Sequence, residues 1–280
     1  MMHSMTTTVD VEEALRCVGR MNDDAIDLAE AALMLAAFDR PDAPVAAYRD
    51  HLRRLAVESI EATRDAQSLE DKFDAVNAVL FERHGYQGDS VNYDDMQNAN
   101  LMCVIDRRKG LPVALGILYI HVARAQGWRC HGTNFPAHFV VRLERGESVA
   151  MIDPFYGGQE LDRDALERQL ESAMGKGAEI KPEHFSAVSN RAVLIRLQNN
   201  IKLRAIQGGD LARAAEILHT MVLIAPDQAA PRCELAALHA HKGEVKAAIR
   251  LLEDCVVETA DPRARDSAAA YLARLRSRLH

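Results

Sequence analysis

One apolar stretch, residues 111–126, restricts the possible folds of this chain more than any other feature. Its apolar side chains point in nearly every direction around a helix, and they are Val113, Leu115, Ile117, Leu118, Ile120 and Val122. A helix of this kind is buried on most of its faces. Pro112 suits the first turn, where a missing N–H costs nothing, and Gly127 suits the end. We therefore expect this helix at the centre of a core.

Three short segments after this helix have the pattern of strands. They are residues 128–135, 138–143 and 148–153, with apolar and polar residues in alternation. Before the helix, the spacing of apolar residues predicts further helices over 23–38, 43–63 and 69–83. A polar loop, residues 86–100, is long for a compact domain, so it is either functional or wrapped over the core. A buried helix with an antiparallel sheet indicates an α+β fold.

Beyond residue 181 the pattern returns to helix and contains an internal repeat. Three pairs of similar residues lie 34 positions apart, namely Gly209 and Gly243, Ala214 and Ala248, and Leu218 and Leu252. A helix-turn-helix unit of this length is the tetratricopeptide period. Two units are visible and stacked repeats usually need about three. We therefore expect residues 267–279 to form a capping helix.

Composition excludes several classes of function. The net charge is −7, whereas a general nucleic-acid binder needs a clustered basic surface. The chain start lacks the layout of a secretory signal, and no apolar run approaches the ~20 residues that span a bilayer. Five cysteines, none in a CxxC pair, suit a reducing cytoplasm and give no disulfide framework or zinc site. We expect a cytoplasmic protein without metal, cofactor, nucleic-acid or membrane partner.

Several motifs together resemble the bacterial SirB-type family, in which a transglutaminase-like domain precedes tetratricopeptide repeats. They are Asn92-Tyr93, residues 98–101, residues 104–112, Phe135-Pro-Ala-His-Phe139 and residues 152–158. One departure is Ala137, where the family more often has glycine. The resemblance implies an N-terminal helical region over 1–85, a transglutaminase-like domain over 86–180, and a repeat domain over 181–280. It also implies a regulatory role in bacteria.

The same resemblance indicates where a Cys-His-Asp triad would lie. His138 and Asp153 stand at the histidine and aspartate positions. Counting back without gaps from Arg124-Ala-Gln-Gly127 places the nucleophile at Pro112. Proline has neither a thiol nor an N–H, so it is neither a nucleophile nor a backbone oxyanion donor. The remaining pair is either a relic that joins two strands or a retained ligand-binding pair, and water activated by His138 would lack a visible electrophilic partner.

Two other cysteines could supply a displaced nucleophile. Cys103 lies in an apolar segment and Cys130 in a predicted strand, and buried cysteine mostly behaves as a small hydrophobe. The enzyme hypothesis requires one of these thiols to reach His138. The remaining histidines show no metal-ligand spacing, and no glycine loop would hold a phosphate.

Three functions follow from these features. The leading hypothesis is a non-catalytic scaffold that binds a protein or peptide through its cleft and its repeats. The inner repeat positions are predicted to be Asn199, Leu203, Cys233 and Ala237, so a Lys- and Asn-based carboxylate clamp is not expected. The alternative is an amide hydrolase or acyl transferase using His138 and Asp153 with a displaced cysteine or activated water. A structural subunit is the third.

Overall fold

The computed structural model describes residues 8–277 except Ala137, Gly146 and Glu147. Within this range the chain divides into two compact units. The first comprises Asn22–Leu197 with the start of the chain through Val11, and the second comprises Glu12–Met21 with the chain from Gln198 onward. His138, Asp153 and Pro112 therefore lie in the first unit, and the 34-residue spacing lies in the second.

Helices dominate the described residues, and a four-stranded sheet and a two-stranded sheet accompany them. The helices are α1 Thr8–Arg20, α2 Leu28–Asp39, α3 Val45–Ala62, α4 Leu69–Asn77, α5 Leu101–Arg107, α6 Pro112–Ala125, α7 Arg163–Met174, α8 Asn190–Gln207, α9 Leu211–Ile224, α10 Ala229–His241, α11 Val245–Glu258 and α12 Pro262–Ser277. The strands are β1 Gln87–Gly88, β2 Lys109–Gly110, β3 Arg129–Gly132, β4 Val141–Arg145, β5 Ser148–Asp153 and β6 Gln159–Glu160. No helix among these has the length and apolarity needed to cross a bilayer.

Helix α6 is buried along most of its length, as its composition predicted. Leu111 precedes it in an extended conformation, and Pro112 occupies the first turn. Gly116 permits a close approach of the chain that leads into β4. A Cβ atom at position 116 would lie 2.3 Å from Cε1 of Phe139. The contact between helix and sheet therefore requires a glycine here.

The sheet is antiparallel, with strand order β3-β4-β5-β6. Val141 of β4 lies opposite Ile152 of β5, and Leu143 lies opposite Cys130 of β3. Separately, β1 and β2 form a short parallel pair. A mostly helical unit with one small antiparallel sheet confirms the α+β class.

Strand β4 begins at Val141, three residues later than predicted, so His138 precedes the strand. Pro136 has no N–H to donate to a ladder, and its carbonyl accepts from the His138 N–H at 2.7 Å. The predicted strand over 128–135 is likewise shorter, because Asn134 donates its N–H to Ser186 instead. The third strand, β5, has the predicted bounds.

Helix capping explains two other differences between the observed helices and those predicted from the sequence. The Asn100 side chain accepts from the Cys103 N–H at 3.1 Å, which begins helix α5 where only an apolar segment was expected. Asp27 caps α2 through the N–H groups of Ala29 and Glu30, so that helix begins at Leu28 rather than at residue 23. Both caps place a short polar side chain just before an apolar run.

In the second unit, helices α9 to α12 follow one another with short connections. Gly209 and Gly243 both have positive φ, at 76° and 82°, and each precedes a helix. Leu218 and Leu252, also 34 positions apart, are fully buried. Helix α12 begins at Pro262, earlier than the capping helix expected from residue 267, because proline is well placed in a first turn.

Candidate functional site

His138 and Asp153 are brought together by the approach to β4 and the end of β5. His138 Nε2 lies 2.8 Å from Asp153 Oδ2, and the carboxylate is fully buried. The His138 carbonyl accepts a hydrogen bond from the Arg196 guanidinium at 2.8 Å. This second contact fixes the main chain that carries the imidazole. In the described residues the other ring nitrogen, Nδ1, has no hydrogen-bond partner.

The Asp153 carboxylate accepts three hydrogen bonds. Its Oδ1 accepts from the Phe155 N–H at 3.0 Å, and its Oδ2 accepts from Gln169 Nε2 at 3.2 Å as well as facing His138. Acceptors of this kind hold a buried carboxylate in one orientation. The orientation of the His138 ring is therefore set by Asp153, and that of Asp153 by β5 and α7.

A pocket of about 510 Å³ opens beside His138. Its lining residues are Ser90, Tyr93, Pro136, His138, Phe155, Tyr156, Gln169, Ser172 and Ala173. None of these side chains is permanently charged. Pockets of this volume with mostly apolar walls and a few convergent polar groups are typical of ligand sites.

Four rings give the pocket its shape. Phe155 stands nearly perpendicular to Tyr156, at 83°, and to His138, at 88°. Tyr156 stacks against His138 with ring centroids 6.4 Å apart, and Tyr93 meets the edge of Phe155 at 5.7 Å. The Phe155 ring itself lies against Gly88, where any Cβ atom would overlap it. Tyr93 and Tyr156 are both exposed and present flat apolar surface at the mouth.

An ion pair holds the loop that carries Ser90 and Tyr93. Asp89 is buried and lies 3.0 Å from the Arg107 guanidinium. The pKa of Asp89 is lowered, first by the Asn92 backbone N–H and then by Asn98, Lys109 and Arg107, against the opposing effect of burial. Arg107 also donates to Asn98 at 3.0 Å. The loop that was expected to be functional or wrapped over the core thus forms one wall of the pocket.

Pro112 begins α6 and is buried, and it is not among the residues that line the pocket. No thiol replaces it at the His138 ring. Cys103 of α5 lies 3.9 Å from an Arg40 nitrogen, and burial raises its pKa. Cys130 of β3 is fully buried, which raises its pKa to about 12. Neither sulfur is within hydrogen-bonding distance of His138 in the part of the chain that the structure describes.

Two serine hydroxyl groups line the pocket, on Ser90 and Ser172. Neither forms a hydrogen bond to His138 among the described residues. Within the same range, no three His, Cys, Asp or Glu side chains are grouped as metal ligands would be. The site therefore combines an oriented imidazole with a neutral aromatic pocket, and no thiol or serine hydroxyl is hydrogen-bonded to that imidazole among the described residues.

The predicted repeat positions lie on α8 and α10 of the second unit. Leu203 and Ala237 are exposed, and Asn199 is half-buried. Cys233 is also half-buried and packs against the core between α10 and α11. Its sulfur lies 3.7 Å from that of Cys255, so this side chain contributes to helix packing while remaining partly accessible.

Comparisons with known proteins agree with this geometry. The sequence profile described as the transglutaminase-like superfamily matches residues 46–199. A UPF0162 protein of Xylella fastidiosa strain 9a5c is 31% identical over 214 residues, which cover 74% of this chain and 75% of that protein. Another, from Vibrio cholerae, is 30% identical over 174 residues, 62% of this chain and 64% of that protein. F-box only protein 21 of Mus musculus is 35% identical over 82 residues, 29% of this chain and 13% of that protein. The chain therefore belongs to the transglutaminase-like superfamily, together with the UPF0162 proteins.

Sequence reasoning did not find Gln169, Tyr156 or Ser172 as part of this site. Gln169 and Ser172 lie on α7, which packs beside β5 only in the folded chain. Tyr156 lies within the motif of residues 152–158, and a large aromatic residue close to a predicted triad aspartate is a usable signal. Nothing in the local sequence of α7 distinguishes Gln169 from a solvated helix residue.

Proposed function

We propose that this protein is a non-catalytic member of the transglutaminase-like superfamily that acts as an interaction scaffold. The pocket beside His138 binds an uncharged side chain from an extended segment of a protein or peptide partner. The helices of the second unit form tetratricopeptide-type repeats and provide further binding surface. In line with its resemblance to SirB-type proteins, it serves a regulatory role in the bacterial cytoplasm, where its five free cysteines remain reduced.

The observation that carries this proposal is the oriented His138 ring in the lining of a neutral aromatic pocket, with no thiol hydrogen-bonded to it among the described residues. Asp153 fixes the ring, so Nδ1 is presented in one direction. Aromatic walls supply contact area at low entropic cost, and the imidazole supplies one directional hydrogen bond. An active cysteine enzyme of this superfamily needs a thiolate at the same place, and burial keeps Cys130 protonated.

The experiment compares partners recovered from the organism's own cell extract by three forms of the protein. Tyr156→Ala removes an exposed pocket wall, and Val149→Ala removes a similarly exposed apolar residue of β5 that does not line this pocket. We expect the same partner with the wild type and Val149→Ala, and at least fivefold less with Tyr156→Ala, equivalent to about 1 kcal/mol. Equal recovery with all three forms, or no reproducible partner, would contradict the proposal.

A second candidate is an amide hydrolase or acyl transferase, which the intact His138–Asp153 hydrogen bond favours. In this mechanism His138 accepts a proton from water, or from a cysteine that moves toward it, and Asp153 stabilises the imidazolium that forms. The test is turnover of a panel of peptide amides and esters. This candidate expects activity that His138→Ala abolishes, while Cys103→Ser, Cys130→Ser, Ser90→Ala and Ser172→Ala identify or exclude a nucleophile. A panel without turnover by the wild type removes it.

A further inference from the structure

Helices α10 and α11 of the second unit bring two cysteines together. Cys233 Sγ lies 3.7 Å from Cys255 Sγ, although 22 positions separate them in the sequence. Both are free thiols. Cys255 is buried at 1% exposure within the core of α10, α11 and α12, whereas Cys233 is half-buried at its edge. The pair thus has one sulfur that a small reagent can reach and one that is protected.

We propose that Cys233 and Cys255 form an oxidative modification site, in which a peroxide closes a disulfide between α10 and α11. The site belongs to the second unit, whereas the pocket at His138 belongs to the first, and it does not depend on the function proposed for that pocket. A disulfide needs its sulfurs at about 2.05 Å, with Cβ atoms about 3.5–4.5 Å apart. The sulfurs at 3.7 Å are already in contact, so closing the disulfide requires them to approach further through rotation of the two side chains.

The chemistry balances with hydrogen peroxide as the oxidant. The Cys233 sulfur attacks one peroxide oxygen, so that an S–O bond forms and the O–O bond breaks. The departing hydroxide takes the thiol proton and leaves as water. The Cys255 sulfur then attacks the sulfenic sulfur, the S–O bond breaks, and a second water leaves with the second proton. Two thiols lose two electrons and two protons, and the peroxide is reduced to two waters.

The order of these steps follows from burial. Cys233 is the sulfur that meets the oxidant, and Cys255 is the resolving thiol. The pKa of Cys233 is raised to about 11, mainly by burial and then by Cys255, with Arg232 opposing the rise and Glu234 adding to it. Since the thiolate is the reactive form, the first step is slow at neutral pH compared with that of an exposed cysteine. The disulfide therefore accumulates under sustained oxidation.

The remaining cysteines provide an internal reference in the same molecule. Cys17 is exposed and reports that oxidant has acted, while Cys130 is fully buried and forms no hydrogen bond to another thiol among the described residues. The full chain is treated with hydrogen peroxide, alkylated, digested without reduction and analysed by mass spectrometry. We expect a 233–255 disulfide, lighter by two hydrogens, that dithiothreitol reverses. We also expect Cys130 to stay reduced.

Two variants test the assigned order. In Cys255→Ser the disulfide cannot close, so Cys233 is expected to accumulate sulfenic acid that dimedone traps. In Cys233→Ser, Cys255 is expected to remain reduced. Dimedone should label it at least fivefold less than it labels Cys233 in Cys255→Ser. Wild-type protein oxidised in urea provides a comparison that needs no folded variant, because pairing there should scatter over all five cysteines. Oxidation of Cys17 without a 233–255 disulfide, or equal pairing in native and unfolded protein, would overturn the proposal.

Discussion

The pocket region and the helical tail stabilise their interiors in different ways. Around the pocket, buried polar groups are joined by directional contacts, such as Asp153 with His138 and Asp89 with Arg107. In the tail, the apolar core cluster of α10, α11 and α12 consists of alanine, leucine and cysteine side chains, and one buried guanidinium beside it, that of Arg232, pairs with Glu258. A polar network tolerates few replacements because the loss of one side chain leaves its hydrogen-bond partner unsatisfied. An apolar core tolerates replacements that keep the side chains apolar and their total volume unchanged. The first arrangement is typical of a region that maintains one geometry for a ligand.

The largest effect is expected from Asp153→Ala. The change leaves His138, Gln169 and the Phe155 N–H without their common acceptor in a buried place. We expect a loss of about 2–4 kcal/mol in the free energy of unfolding. Urea denaturation measures it. Asp153→Asn is the matched control because it retains acceptor capacity, and its loss should be smaller. If the two variants lose the same stability, the carboxylate is not the organising group of the site.

A smaller effect concerns pH and the contacts of His51. Arg108 donates to His51 Nε2 at 2.8 Å, and the Tyr86 hydroxyl lies at the same distance. Burial first and Arg108 second lower the pKa of His51 from 6.5 to about 4, with His84 and Arg54 adding to the shift and Glu58 opposing it. Since the unfolded chain takes up this proton and the folded chain does not, stability falls as pH drops from 6.5 toward 4.

We expect this histidine to account for about 1–2 kcal/mol of that loss, a value reduced for residual solvent screening. Urea midpoints at pH 7 and pH 4.5 give the measurement for the wild type and for His51→Gln. The variant should show a shallower pH dependence than the His121→Gln control. An unchanged slope in His51→Gln would show that other groups cause the acid sensitivity.

Replacing either of the two turn glycines in the tail should cost a similar or smaller free energy of unfolding. Gly209 and Gly243 have φ angles of 76° and 82°, which side chains rarely adopt, yet neither has a neighbour within 4 Å of a built Cβ atom. The expected cost of Gly209→Ala or Gly243→Ala is therefore backbone strain alone, about 1–2 kcal/mol each. Gly208→Ala, on the negative-φ side of the same turn, is the control. Thermal unfolding distinguishes them, and equal midpoints for Gly208→Ala and Gly209→Ala would be contrary to this account.

The sequence predicted those features that depend on local periodicity. Helix α6, strand β5 and the α+β class follow from which residues are apolar and where glycine and proline fall. These inferences succeeded because apolar spacing within one element is visible without knowing its neighbours. His138 and Asp153 were indicated by the family resemblance rather than by spacing, and the structure joins them by a hydrogen bond.

Features that depend on distant packing could not be predicted. Gln169 reaches Asp153 only because α7 packs beside β5, and Cys233 meets Cys255 only because α10 packs against α11. Strand β4 was placed too early because the bond from His138 to the Pro136 carbonyl is a local alternative to the ladder. Such contacts join residues from separate elements, so no spacing rule reports them.

Pro112→Cys is expected to cause the smallest change in stability. It also gives the sharpest test of whether the His138–Asp153 pair is a structural relic or part of an enzyme site. Proline at the first turn of α6 donates no hydrogen bond, so we expect a cost below about 1.5 kcal/mol. The helix N-terminus and a nearby imidazole lower the pKa of a thiol. If position 112 faces His138, as the count back from residues 124–127 implies, the new thiol should react with iodoacetamide at pH 7 at least tenfold faster than Cys130.

His138→Ala in the Pro112→Cys background is the control that connects this rate to the imidazole. The double variant should lose most of the enhancement in the alkylation rate. Cys103, a half-buried thiol, provides a second comparison within the same chain. A rate equal to that of Cys130, or one that His138→Ala leaves unchanged, would show that the head of α6 does not face His138. In that case the absence of a thiol at position 112 would no longer support a non-catalytic function, and a search for a nucleophile would turn to the pocket hydroxyls of Ser90 and Ser172.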